Sequence, residues 1–116
     1  MPKAERILKV KKTFVFGAAG TSQTDLDLTA EGLIMNMIID VPAFTNNVTA
    51  EVIMKDADGF TYYKSGSLLK SSLNQVDVQN GIGTDGFGKV GCSISSDAGG
   101  AGGTVTVIMF VWQFRY

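Results

Sequence analysis

Apolar and polar residues alternate with a period of two along most of this chain, whereas no apolar stripe of helical period and useful length occurs in it. That alternation is the pattern of β-strands that are buried on one face. The segments that show it are, in chain order, 8–16, 26–28, 33–41, 48–55, 60–63, 75–78, 90–94 and 104–116. The sequence therefore predicts about eight short strands.

Turn-forming residues separate these segments. Pro42 ends the third strand because proline cannot donate to a ladder, and Asp56 to Gly59 suit a tight hairpin turn. Asn80-Gly81 is a second turn signal, and 83–88 is expected to be irregular. The glycine-rich segment 97–103 is expected to be a flexible hairpin connection to the last strand.

Short strands and regular turn signals over 116 residues predict one domain, residues 1–116, with an all-β fold. The expected architecture is a two-sheet antiparallel β-sandwich, jelly-roll-like, with a basic N-terminal strand or arm (1–16) and a long apolar C-terminal strand (104–116). In a jelly roll the first and last strands are commonly neighbours. We therefore expect these two strands to pair.

The last strand is apolar on both faces. Val105, Val107, Met109 and Val111 make one face, and the other carries Ile108, Phe110, Trp112, Phe114 and Tyr116. A strand that is apolar on both faces is covered on both, and aromatic residues are enriched at buried interfaces. These five residues are therefore the predicted partner interface. Thirteen residues also span about 40 Å, so the end of the strand should project, and truncation after Met109 should leave a folded domain that no longer assembles.

Composition narrows the possible chemistry. The chain contains no histidine, which removes the commonest general base and a frequent zinc ligand. Its one cysteine, Cys92, alternates with apolar residues that point inward, so it is expected to be a buried thiol without an activating partner. We expect no catalytic residues, no cofactor and no enzymatic activity.

Two motifs resemble binding sites only weakly. Asp56 and Asp58 match the opening of a calcium loop, but aromatic residues occupy the positions where further oxygen ligands would follow, so a plain turn is favoured and no metal is expected. The segment 81–86 contains G-x-G-x-x-G, yet it precedes a strand rather than a helix, which argues against a dinucleotide site.

The first strand is basic. Half of the ten basic residues lie in the first twelve positions, although the net charge of the chain is −1. Lys9, Lys11 and Lys12 are predicted to steer the protein toward an acidic protein partner, while a merely solvated strand face is the alternative. Nucleic acid is a less favoured partner because the rest of the chain is acidic. Neither a signal peptide nor a membrane span is indicated.

Two stretches resemble small β-sandwich virion proteins of tailed bacteriophages, of the capsid decoration or cement type. They are 39-IDVPAFTNNVTAEVIMKDADGFTYYKSG-66 and 90-VGCSISSDAGGAGGTVTVIMFV-111. The familiar features are a strand end I-x-V-P-x-F-x-N, a D-x-D-G hairpin leading to tyrosine, and a final strand G-G-x-G-G-T-V-T-V.

The resemblance implies a non-enzymatic virion structural protein that is made in a bacterial cytoplasm and is present in many copies. Its partners would be the major capsid protein, other virion proteins or copies of itself. Two alternatives stay open: a neck, tail or fibre-associated virion subunit, and a carbohydrate- or calcium-binding module in which Tyr62, Tyr63, Asp56 and Asp58 form the site.

Overall fold

The computed structural model describes residues 3–115, and for residues 3–5, 79–80 and 114–115 it gives the path of the backbone only. Nine strands form within these residues. They are β1 (Lys3–Phe16), β2 (Leu26–Leu28), β3 (Glu31–Val41), β4 (Thr49–Lys55), β5 (Thr61–Lys64), β6 (Leu68–Leu69), β7 (Ser72–Asp85), β8 (Gly88–Ile94) and β9 (Gly103–Arg115). No helix in this part of the chain is long and apolar enough to cross a membrane.

The strands form two antiparallel sheets. Sheet A has the order β1-β9-β3-β7, and sheet B has the order β2-β8-β4-β5, with β6 paired to β4. Strands β1 to β4 alternate between the two sheets, and β7 to β9 do so again, which is the connectivity of a jelly roll. The predicted all-β, two-sheet, jelly-roll-like sandwich is confirmed. The ninth strand is the two-residue β6, which lies in a polar stretch that showed no clear alternation.

Strand β9 lies between β1 and β3, and the expected pairing of the first and last strands is confirmed. The β9 residues that face sheet B, Val105, Val107, Met109 and Val111, are fully buried. Their neighbours in the core include Val52 from sheet B. The period-two pattern thus turns every second β9 side chain into the core and leaves the others on the outer side of sheet A.

Strand β7 differs from the prediction. The sequence indicated a short strand at 75–78 and a turn at Asn80-Gly81, but β7 runs without a break from Ser72 to Asp85. In its pairing with β3, Asp77 lies opposite Asn36 and Ile82 lies opposite Ile34. The four residues 78–81 of β7 therefore correspond to a single residue of β3, Met35. The glycine at 81, with φ of 74°, therefore serves a bulge within a strand and not a reversal of the chain.

The segment 97–103 also differs from the prediction. It joins β8 to β9, which belong to different sheets, so it crosses from one sheet to the other and is not a hairpin connection. Its backbone is held by the neighbouring loops: the amide of Asn46 donates to the carbonyl of Ala98, and the amide of Gly99 donates to the carbonyl of Ala18. The side-chain amide of Asn46 donates to the carbonyl of Asp97 as well.

The interior position of β9 changes the experiment that would test its outer face. Pairing with β3 covers Thr106 to Trp112, and β1 pairs with β9 as far as Arg115. Truncation after Met109 would remove the buried Val111 together with half of the ladder, so folding would be lost along with any assembly. Single substitutions on the outer side of the strand separate the two effects.

Two glycines with positive φ give a matched test of the crossing loop. Gly102 (φ 72°) and Gly59 (φ 87°) both adopt a backbone conformation that costs alanine about 1 kcal/mol. A Cβ on Gly59 would meet open space, whereas one on Gly102 would overlap the carbonyl oxygen of Phe16. We expect Gly102→Ala to lower the free energy of unfolding by about 3 kcal/mol, and Gly59→Ala by about 1 kcal/mol, in urea denaturation. Equal losses would contradict the close approach at Gly102.

Candidate protein interface

The outer face of sheet A, the side turned away from sheet B, carries an apolar centre. Neighbouring strands place their outward residues directly opposite one another, because antiparallel partners share a face. Ile108 on β9 lies opposite Ile38 on β3, and Trp112 lies opposite Leu33. All four are only half-buried in the single chain. Ile7 lies beside Trp112 on β1 with 53% of its surface exposed.

Charges of opposite sign flank this apolar centre on the two edge strands. In one row of the sheet, Lys9 of β1 lies opposite Phe110, Phe110 lies opposite Asn36, and Asn36 lies opposite Asp77 of β7. Lys9 and Asp77 are exposed. The side-chain amide of Asn36 donates a hydrogen bond of 2.7 Å to Asp77 Oδ1, which orients that carboxylate on the outer face.

The next row repeats the arrangement with a basic residue at one end only. Lys11 lies opposite Ile108, Ile108 lies opposite Ile38, and Ile38 lies opposite Gln75. A groove of about 450 Å³ opens on the same face beside the β7 bulge, where Met35 and Trp112 contribute to its walls. The outer face thus combines half-buried apolar side chains, a concave feature and a basic and an acidic edge.

The outer face of sheet B is different. There Lys55 Nζ lies 2.9 Å from Asp25 Oδ2, and Lys89 Nζ lies 2.6 Å from Asp27 Oδ1. The hydrogen bond and charge of Lys89 lower the pKa of Asp27 below its ordinary value, and the same contact raises the pKa of Lys89. The Lys55–Asp25 pair is partly buried, whereas the Lys89–Asp27 pair is exposed and adds little to stability. Sheet B thus carries ion-paired charges on its exterior, beside the half-buried Ile53 and Leu69, which is 71% exposed.

The structure separates the sequence-predicted interface residues. Ile108, Phe110, Trp112, Lys9 and Lys11 lie together on the outer face of sheet A. Lys12 lies on the other side of β1, opposite the buried Val107, where its charge contributes to lowering the pKa of Asp27. Phe114 lies on a backbone that pairs with β1, but its side chain is outside the described part of the chain, and Tyr116 lies wholly outside it.

Sequence reasoning missed several members of this surface. Ile7, Val15 and Leu73 are more than half exposed on the edge strands, with exposed fractions of 53%, 64% and 65%. Their side chains lie on the outer face because of the same alternation that puts Lys9 and Lys11 there. The signal was present for Val15, which lies between the two buried phenylalanines of β1, while Leu73 lay in a segment whose strand was not predicted.

The loop whose sequence weakly resembles a calcium site forms a hairpin turn. Asp56 Oδ1 accepts hydrogen bonds from the backbone amides of Asp58 (3.0 Å) and Phe60 (2.9 Å), which is an aspartate holding its own hairpin loop. Asp58 is exposed on the loop. Within residues whose side chains the structure describes, no group of three or more histidine, cysteine, aspartate or glutamate residues is placed to hold a metal ion.

The two tyrosines of the candidate carbohydrate site differ in exposure. Tyr62 is 42% exposed, whereas Tyr63 is half-buried and packs against the core. Burial is the largest cause that raises the pKa of both phenols above the ordinary value. Two neighbouring residues of one strand point to opposite sides, so the two rings do not form one stacking surface.

Comparisons with known proteins give a likeness of fold. No protein-family model and no curated protein matches the sequence. Among solved structures, the SPBc2 prophage-derived protein YomS is 16% identical with a TM-score of 0.42, and the match covers 89% of this chain and 95% of that one. The infectious bursal disease virus VP2 subviral particle is 13% identical with a TM-score of 0.38, covering 96% of this chain and 33% of that one.

A further structure, infectious bursal disease virus strain Gx, is 11% identical with a TM-score of 0.37, and the match covers 99% of this chain. This chain spans 33% of the chain that it matches there. These three structures come from a prophage and from a virus.

Calcium should have no effect on stability. The Asp56 oxygen that would bind an ion already accepts two backbone amides, so the melting temperature should be the same with excess calcium and with a chelator. Asp56→Ala should lower the free energy of unfolding by about 1 kcal/mol under both conditions, and the exposed Asp58→Ala serves as the matched control with a smaller loss. A melting temperature that rises with calcium and loses that response in Asp56→Ala would contradict this.

Cys92 should be inert in the folded protein. Burial raises the pKa of its thiol from 9.0 to about 12, so the thiolate forms in the unfolded chain well before it forms in the folded one. Stability should therefore fall as the pH rises from about 9 to about 12, and Cys92→Ala should reduce that slope. A thiol reagent at pH 8 should modify the unfolded protein rapidly and the native protein at least about a hundredfold more slowly. Equal rates would place the thiol at the surface.

Proposed function

We propose that this protein is a non-enzymatic structural component of a bacteriophage virion, a decoration or cement protein that binds the capsid shell and stabilises it. The observation that carries the proposal is the contrast between the two sheet exteriors. The exterior of sheet B carries two lysine–aspartate ion pairs, whereas β9 of sheet A presents Ile108, Phe110 and Trp112 as a continuous half-buried row between charged edges. A sheet face of this composition is suited to contact another protein.

The work of such a protein is adhesion. Burial of apolar surface contributes about 25 cal/mol per Å², and many symmetry-related copies multiply a modest contact into a stable lattice. Lys9 and Lys11, at the rim, would steer the protein toward an acidic surface and set its register. Phe114 and Tyr116 belong to the proposed interface on the sequence pattern alone. The role requires no catalytic group, cofactor or metal.

The resemblance of residues 39–66 and 90–111 to phage virion proteins supports the same class of function. Those residues now have structural roles: Pro42 follows the end of β3, Asp56 forms the β4–β5 turn, and the glycines before β9 cross between the sheets. They build the scaffold that carries the outer face of sheet A. The proposed location is therefore the virion, after synthesis in the host cytoplasm.

Binding to shells tests the proposal. Shells assembled from the major capsid protein of the same virus are mixed with the full chain and sedimented, and the bound mass is measured against the free concentration. We expect saturation at a fixed number of copies per shell and a higher melting temperature of the decorated shell. Phe110→Lys should weaken binding at least about tenfold, because a charge replaces an apolar contact.

The matched control is Ile53→Lys, which changes a half-buried residue on the outer face of sheet B. It should bind shells like the unmodified protein. Circular dichroism confirms that both variants are folded. Absence of sedimentation with shells, or equal loss in the two variants, would show that this surface is not a capsid contact.

A further inference from the structure

The two edge strands of sheet A carry opposite charges on the outer face, at the same position along the strand direction. This placement of the charges identifies a partner for the face. We infer that the face is covered by a second copy of the chain, related by a two-fold axis that runs parallel to the strands midway between β9 and β3. Lys9 and Asp77 end the same row of the sheet on its two edge strands. About 14 Å separates them, three strand spacings, so they do not pair within one chain.

The direction of the axis follows from the charges. A two-fold axis parallel to the strands exchanges left and right and keeps the height along the strands, so β1 of one copy lies over β7 of the other. Lys9 then faces Asp77 of the second copy, and the contact occurs twice. A two-fold axis across the strands would instead place β1 over β1 and bring the basic edges of the two copies together.

The same axis matches the apolar centre with itself. Strand β9 of one copy lies over β3 of the other, so Ile108 meets Ile38 and Trp112 meets Leu33, each twice. Lys11 lies one row from Lys9 and faces Gln75, within reach of the same Asp77 through its long side chain. The strand axes of the two facing sheets then run in nearly the same direction, which is the common geometry of aligned sheet packing.

The size and charge of the protein suit such a dimer. Four strands span about 19 Å and residues 7–15 of β1 span about 27 Å, so the face offers about 500 Å² per copy, near the lower limit for a specific interface. The net charge of −1 leaves little repulsion between whole molecules. The charged residues at the two edges then fix how the two copies align. Their desolvation costs little because both lie at the rim of the interface.

This inference rests on the proposed function only in so far as both place a protein on the outer face of sheet A. A second copy and a shell compete for that face, so the dimer is the free form and separates when the face binds a shell. The dimer forms without capsid shells, so its mass is measured on the isolated chain. Absence of shell binding below the dimer dissociation constant, where the chain is monomeric, would overturn the function alone. A monomer that still binds shells would overturn the inference alone.

Charge reversal tests the two-fold arrangement. Sedimentation equilibrium of the full chain should give twice 12.3 kDa at micromolar concentrations. Lys9→Glu and Asp77→Lys should each raise the dimer dissociation constant at least about tenfold, because each creates two contacts between like charges. An equimolar mixture of the two variants should again give a dimer, since the carboxylate introduced in one variant faces the ammonium group introduced in the other and the second pair of the dimer is native.

The control reverses a charge on sheet B. Lys64→Glu changes an exposed residue of β5 and should leave the dissociation constant unchanged. Three results would overturn the inference: a monomer at all concentrations, a dimer that neither reversal weakens, or two weakened variants that fail to associate when mixed. The last result would show that Lys9 and Asp77 are not partners across a two-fold axis.

Discussion

The structure depends on the position of β9 between β1 and β3. This strand joins the first and third strands into one sheet, closes the core with the buried side of its valines and Met109, and presents Ile108, Phe110 and Trp112 on the other side. Both sides of the strand therefore have a use. A strand apolar on only one face would complete the sandwich equally well, so the apolar residues on the outer side require an explanation outside the core.

The faces of the strands could be predicted from the sequence because the period of two is a local property. Phe14, Phe16 and alternate residues of β9 are buried where the alternation placed them. The bulge opposite Met35 could not be predicted in the same way, since it depends on the register between β3 and β7. The same place is irregular in β3, where Met35 is an extra residue against β9 and shifts Leu33 to the outer face and Ile34 into the core, the reverse of the alternation set by the buried Met37 and Ile39. The Asn80-Gly81 turn signal lies in the matching bulge of β7.

The candidate interface was predicted in part for the same reason. Alternation along β9 and β1 gave Ile108, Phe110, Lys9 and Lys11, but a list of basic residues also included Lys12, which the strand turns to the other side. The acidic edge at Asp77 required the order of strands within the sheet. Sequence reasoning describes one strand at a time, whereas the relation between β1 and β7 exists only after four strands have assembled.

A two-fold axis parallel to the strands determines which surfaces the dimer leaves exposed. It leaves equivalent ends of the two copies pointing in the same direction. The end that holds the β4–β5 and β7–β8 turns carries Phe60 and Phe87, which are 71% and 73% exposed. In the inferred dimer both copies present these two aromatic residues on the same side. This end and the outer face of sheet A are different surfaces, so the end stays exposed whether a second copy or a shell covers the face.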